Sequence, residues 1–305
     1  SQTYNLAING ADENTSYRAA VNYRDVDGVV MGTGFNQLNG RFSLSQKALK
    51  DKLTFDINLS STLRNEKYAP SEAMQYATIF NPTAPLKADD DYSTEWGGYF
   101  QRPAFYFYNP VAIIEQSNLD GKKYNIQGGF KGTYEIIKGL KASAFYSLTS
   151  NNDLYGTYWS KYALFTPYAT GSHEGFARRE TNDYFNHMME LTGSYEKTIE
   201  KVTFSVLGGY SWQQATTQGF WAFGKGFLSD DFSYNDLGSA SGELANSAMM
   251  DSWKRQTTLI GFYARATANY DNGVFLTLNF RRDGSSMFGE NKKWGNFPGI
   301  SAGVD

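Results

Sequence analysis

"LIGFYARATANYDNGVFLTLNFR", residues 259–281, decides how this chain is read. Ile260, Phe262, Ala264, Ala266, Ala268 and Tyr270 alternate with Gly261, Tyr263, Arg265, Thr267 and Asn269. After Asp-Asn-Gly, Val274, Leu276, Leu278 and Phe280 alternate with Phe275, Thr277, Asn279 and Arg281. A period of two is the mark of a strand with two unlike faces, and Asp-Asn-Gly between two such runs is a hairpin signal. The same alternation recurs at 53–60, 124–135, 140–149, 189–196 and 202–213, with further segments near 3–9, 15–24 and 36–46. That makes roughly ten strands, and an eleventh begins near Gly299.

The composition agrees. The 305 residues include 22 Tyr, 22 Phe and 30 Gly but only 7 Pro, an aromatic-rich and Pro-poor balance that favours β structure. No run approaches the ~18 apolar residues of a membrane helix, and mean hydropathy is −0.51. A net charge of −3 with both signs interspersed argues against nucleic acid as a partner. Without cysteine, disulfides and thiolate metal sites are excluded.

The connections alternate between two kinds. Tight ones fall at 10–14, 47–51, 137–139, 198–200 and 271–273; long ones fall at 25–34, 65–121, 151–187, 214–255 and 283–298. Short turns at one end and long loops at the other are the pattern of a transmembrane β-barrel. Each strand segment is about the ~9–11 residues that a tilted strand needs to cross hydrocarbon. The apolar face often ends in an aromatic residue (Tyr4, Tyr23, Tyr124, Tyr134, Tyr210, Trp212, Tyr270, Phe280), as the girdles of such barrels do. The opposite face carries Arg18, Arg41, Asp56, Lys131, Glu190, Arg265 and Arg281, which are costly in a dry core and tolerable facing a watery lumen. A soluble sandwich gives the same alternation, but not the loop asymmetry. The expected fold is therefore all-β: an antiparallel up-and-down transmembrane barrel with short periplasmic turns and long extracellular loops. Starting in one strand and stopping in another, the sheet has two open edges, which do not persist in lipid. The expectation is an internal piece of a larger barrel.

"FRRDGSSMFGENKKWGNFPGISAGV" (280–304) resembles a stretch typical of SusC/RagA-type TonB-dependent outer-membrane transporters. "ENTSYRAAVNYRDVDGVVMGTGFNQLNGRFSL" (13–44) is similar to that family's early barrel hairpin, and "IFNPTAPL" (79–86) with "YNPVAIIEQ" (108–116) to its long loop with paired Asn-Pro elements. The resemblance implies a barrel of about 22 strands around a plug. Residues 1–305 would be part of the barrel domain alone, without the plug, the TonB-contacting segment or the C-terminal strands. It implies active import of oligosaccharides or peptides across the outer membrane, with a SusD-like surface lipoprotein and the TonB complex as partners.

Candidate chemistry is sparse. The two histidines, His173 and His187, have no spacing that builds a catalytic triad or a zinc site, and both read as loop residues. Asp283-Gly284-Ser285-Ser286 lacks the lysine and helix of a phosphate cradle and reads as a turn. Asp89, Asp90 and Asp91 are candidate Ca²⁺ carboxylates or a solvated acidic tip. No enzyme and no cofactor is expected. Trp96, Tyr99, Phe105, Tyr106, Tyr108, Tyr158 and Trp159 stand in the long loops, either packed among them or forming a platform for a ligand or partner. Residues 71–80 suggest a short helix with Ser71 as N-cap and Met74, Ala77 and Phe80 on one face. Besides active glycan or peptide import, the alternatives are a siderophore or vitamin receptor of the same superfamily, a passive porin, and an adhesive barrel.

Overall fold

The computed structural model describes residues 1–102, 108–169, 171–241, 249–271 and 273–304. Eleven strands form one antiparallel sheet: β1 (Gln2–Ala11), β2 (Thr15–Asp27), β3 (Gly34–Ala48), β4 (Leu53–Tyr68), β5 (Ser117–Ile137), β6 (Leu140–Trp159), β7 (Phe176–Ile199), β8 (Val202–Lys225), β9 (Met250–Tyr270), β10 (Val274–Ser285) and β11 (Trp294–Val304). Each pairs with its neighbours in sequence, in the order β1 to β11 without a crossover. Among the described residues, three helices, α1 (Ser71–Ile79), α2 (Asp91–Glu95) and α3 (Pro110–Glu115), lie in the connection between β4 and β5.

Local chemistry makes the tight turns. At the β1–β2 turn, Asp12 Oδ1 accepts from the backbone N–H groups of Asn14 (2.8 Å) and Thr15 (2.7 Å), the Asx geometry that short polar side chains provide. Gly139, between β5 and β6, has φ +85°, and a side chain there would collide with the Glu196 carbonyl.

Register fixes the faces. Lys131 stands opposite Phe145, Phe145 opposite Glu190, Glu190 opposite Ser211, and Ser211 opposite Gly261, beside Tyr263 and Arg265 in β9. Arg265 is opposite Asn279, two residues before Arg281. Arg41 joins the same face through Ser60 and Gln127. The opposite face carries an apolar band, which runs from Tyr124 to Tyr134 in β5, Leu140 to Leu148 in β6, Val202 to Trp212 in β8 and Ile260 to Tyr270 in β9. Leu191, Phe204, Phe262, Leu278 and Ile300 are each more than 40% exposed there. Large apolar side chains facing outward along a sheet are the signature of a wall that meets lipid.

The strands run well past that band. β5 to β9 have 21, 20, 24, 24 and 21 residues, roughly 65–80 Å of extended chain, against the ~9–11 expected from the hydrocarbon thickness. Above Leu148, Phe185 and Trp212 the outward side chains turn polar (Ser150, Asn152, Asp183, Thr181, Gln214, Thr216), yet the ladder pairing continues. The alternation fades where lipid ends; the backbone hydrogen bonds do not. The loops expected at 151–187 and 214–255 accordingly contract to 160–175 and 226–249.

Two local expectations change with this. His187 is no loop residue: it lies within β7, at the upper edge of the apolar band, beside the rings of Tyr146, Phe185 and Trp212. The helix expected near 71–80 forms, but Pro70 occupies the N-cap position and the Ser71 hydroxyl donates to Glu72 instead. Its buried side is Ala73 with Tyr76, whereas Met74 is 55% exposed.

Candidate functional site

Beyond the apolar band, the connecting segments pack against both faces of the extended sheet. Tyr158 and Trp159 end β6 and, one residue apart, point to opposite faces. Trp159 shares the polar face with Phe176 of β7 and Phe223 of β8, since Trp159 pairs with Phe176 and Arg178 with Phe223. On this floor sit Trp96, Tyr108, Ile113 and Ala73 from the 69–116 segment, together with Ala163, Leu164 and Phe165 from 160–175. The rings meet at angles: Tyr76–Tyr108 and Tyr108–Phe165 have centroids 5.1 Å apart, Trp159–Phe165 5.9 Å. Burying each such side chain stabilises the layer by roughly 1.5–3 kcal/mol.

Asn109 organises the polar groups of this layer. Fully buried, its Oδ1 accepts from the N–H groups of Val111 (3.0 Å) and Ala112 (3.3 Å), capping α3. Its Nδ2 donates to the carbonyls of Leu86 (3.0 Å) and Phe100 (3.3 Å). One side chain thus starts a helix and ties together two distant turns of the same segment. The Asn-Pro dipeptide was the visible signal: Pro at the first helical position after an Asn cap is a helix start.

On the other face, Tyr158 and Ala177 pack with Phe227 and Tyr234, flanked by Leu237 and Ala240. Asp230 holds this side: it accepts from the Tyr158 hydroxyl (2.7 Å), the Ser160 hydroxyl (2.6 Å) and the Lys161 N–H (3.1 Å). Tyr234 donates to Asp120 (2.9 Å) and covers Gly156, where a side chain would strike its ring. Burial, and then the adjacent Asp230 carboxylate, pushes the Tyr158 hydroxyl well above the ordinary tyrosine range. Burial and Asp120 push Tyr234 up to about 12.

Trp96, Tyr99, Tyr108, Tyr158 and Trp159 are thus all at most 5% exposed. Trp96, Tyr108 and Trp159 lie inside the polar-face cluster and Tyr158 inside the one on the other face; Phe105 and Tyr106 lie outside the described residues. Tyr99 donates to Glu115, and the Lys87 ammonium lies 3.0 Å from its ring centroid. Of the three aspartates, Asp90 caps α2 by accepting from the Ser93 N–H (3.0 Å) and hydroxyl (2.8 Å), and it pairs with Arg102 (3.1 Å). These bonds hold its carboxyl below the usual range. Among the described residues no three His, Asp or Glu side chains converge as a metal site.

The polar face below the layer has its own network. Tyr263 donates to Glu190, Arg265 Nε to Asn279 (2.7 Å), and Arg281 Nε to Asp283 (2.8 Å). Glu190, Tyr263, Arg265, Asn279 and Arg281, with Lys131, Ser143, Phe145 and Thr192, line a concavity of about 570 Å³. Arg41 lines a neighbouring one of about 830 Å³ with Arg18, Ser43, Asn58 and Gln127. Such a wall offers hydrogen bonds and charge to what passes along it.

An unbroken meander with an apolar outward band and a polar opposite face is a stretch of transmembrane β-barrel wall of the outer-membrane kind. No family model matches the chain. It is similar along nearly its whole length to TonB-dependent receptors: 26% identical over 304 residues to TonB-dependent receptor P3 of Formosa agariphila (96% of this chain, 29% of that protein), and 24% identical over 325 residues to TonB-dependent receptor SusC of Bacteroides thetaiotaomicron (99% and 31%). Its fold matches the solved RagAB peptide transporter with a TM-score of 0.80, at 18% identity, over 98% of this chain and 33% of that one. The resemblance read at 13–44, 79–86, 108–116 and 280–304 therefore extends over the chain, which spans less than a third of the length of these curated relatives. Its place is the outer membrane, crossed by strands; no described helix is long and apolar enough to cross one.

Proposed function

We propose that these residues are part of the barrel domain of a TonB-dependent transporter that imports oligosaccharides or peptides with a SusD-like surface lipoprotein. The observation that carries this is the likeness to receptors including SusC over 96–99% of the chain. On this reading the polar face is the lumen wall, lined by Arg41, Lys131, Glu190, Arg265 and Arg281. The layer built on Trp96, Tyr99, Tyr108, Tyr158 and Trp159 is the extracellular mouth, and its buried rings fix the shape of a surface that meets the lipoprotein. The plug and the TonB-contacting segment belong to other parts of the protein.

Growth on defined oligosaccharide or peptide sources tests the reading in cells producing the full-length protein. Removing the energy-coupling complex is expected to abolish uptake, and removing the lipoprotein to reduce it. Undiminished uptake without energy coupling points instead to a passive pore. A growth defect confined to ferric chelates points to a siderophore receptor.

A further inference from the structure

The outward face of β1 to β5 is not an even surface. Within its apolar band, Ile8, Ala19, Gly40, Ser61 and Tyr124 line a concavity of about 550 Å³. Two small residues make its floor: Gly40 is opposite Ser61, with Val21 and Ile126 on the flanking strands. A Cβ added to Gly40 would meet nothing within 4 Å, so the space is there to be filled. The concavity climbs obliquely, from Ile8 and Ala19 through Gly40 and Ser61 to Tyr124. Barrel strands are tilted, and the paired row of Leu63 and Tyr124 continues into Asn152 and Asp183, above the apolar band. Rows therefore rise toward β7. A path up and across the strands in that direction runs with the membrane normal, as an acyl chain does.

Above it, at the long-loop end, the same strands frame a second concavity of about 650 Å³, lined by Asp25, Asp27, Asn36, Asn65, Lys67 and Lys122. Register lays out its charges. One paired row reads Asp25, Asn36, Asn65, Lys122; the next reads Asp27, Gly34, Lys67, Asp120. Carboxylates thus stand on β2 and ammonium groups on β4 and β5, two or three strand spacings of about 4.8 Å apart. Between them lie Gly34 and the Asn65–Asn36 hydrogen bond (3.0 Å). Asp120 is committed elsewhere, accepting from Tyr234 (2.9 Å). Among the described residues, Asp25, Asp27, Lys67 and Lys122 form no ion pair, whereas Lys123, on the polar face, is bound to Glu66 (2.8 Å).

Two cations on one side and two anions on the other match a zwitterion, not a simple anion. A phosphate suits the lysines. A primary ammonium has three N–H groups to donate and suits the aspartates; a quaternary ammonium has none and favours aromatic faces. We propose that this face holds a phosphoethanolamine-headed lipid, its phosphate at Lys67 and Lys122, its ammonium at Asp25 and Asp27, and an acyl chain in the groove over Gly40. Exchanging bulk lipid for the groove brings no hydrophobic gain; the groove supplies fit, and the head supplies the choice. The site needs only a wall in lipid and is independent of what the barrel carries.

Native mass spectrometry of the full-length protein in detergent tests this, with dioleoyl phosphatidylethanolamine, phosphatidylcholine or phosphatidylglycerol added singly. The ethanolamine lipid should be retained about fivefold or more over the other two, the size of partly exposed ion pairs. Lys67→Gln with Lys122→Gln should bring it down to the level of the choline lipid. Asp25→Asn with Asp27→Asn should instead raise phosphatidylglycerol to match it. Gly40→Phe, which fills open space, should lower retention, and Leu278→Phe, on the outward face of β10, should leave it. Equal retention of the three lipids by the wild-type protein overturns the site whether or not any variant folds, as does a wild-type preference for phosphatidylglycerol. So does a preference that survives the paired lysine change, or retention that Gly40→Phe leaves unmoved.

Discussion

Tyr158 and Trp159 are consecutive, both buried, and committed to different sides of the wall: Trp159 to the ring cluster on the polar face, Tyr158 to Asp230 on the other. Tyr158→Phe removes one hydroxyl and leaves Asp230 with the Ser160 and Lys161 donors. A hydrogen bond to a charged group contributes about 1.5–3 kcal/mol, so exchange protection in 226–241 should fall by that order while the polar-face cluster keeps its own. The same hydroxyl predicts an alkaline dependence. Its folded pKa lies above the unfolded value near 10, so its contribution is complete below that value and is lost as pH rises through the raised one. Tyr234, pushed up to about 12, behaves alike. In an ultraviolet titration these two phenols should ionise after the exposed tyrosines, and each Tyr→Phe variant should remove one late-ionising group.

At the scale of the strand, register makes neighbours unequal. Leu191 of β7 faces outward in the apolar band and Thr192 faces the polar side with Glu190. Leu191→Arg sets a charge against lipid and should cost about 2–4 kcal/mol, while Thr192→Arg joins a wet wall and should cost little. Folding into lipid vesicles, read by heat-modifiable migration on gels, separates the two; equal losses would contradict the assignment of faces. The phase of every strand was legible because a one-residue slip exchanges the two faces. Strand length was not. Above Trp212 the outward row of β8 reads Gln214, Thr216 and Gln218, indistinguishable from loop composition, although each residue is paired to β7 and β9. Ladder bonds between backbones leave no mark on side-chain type. The site was legible in part for a related reason: alternation says which way Trp159 points, but not that Trp96 and Phe165 arrive from distant segments to cover it.

At the scale of the whole sheet, the deciding quantity is the number of unsatisfied edges. Among the described residues, β2 to β10 each have a partner on both sides, whereas β1 pairs only with β2 and β11 only with β10. In water an open edge is tolerable; in hydrocarbon each unpaired N–H or C=O costs several kcal/mol. The ten residues of β1 and eleven of β11 therefore present a penalty far larger than the ~5–15 kcal/mol by which folded proteins are stable. Produced on its own, residues 1–305 should not insert into vesicles as a compact monomer: it should remain protease-sensitive, or close only by pairing with other copies. Strands that cap both edges, as in a chain of the relatives' full length, should restore a heat-modifiable, protease-resistant barrel. A stable monomer of the 305 residues in lipid would mean that β1 and β11 find each other, and that this sheet closes by itself.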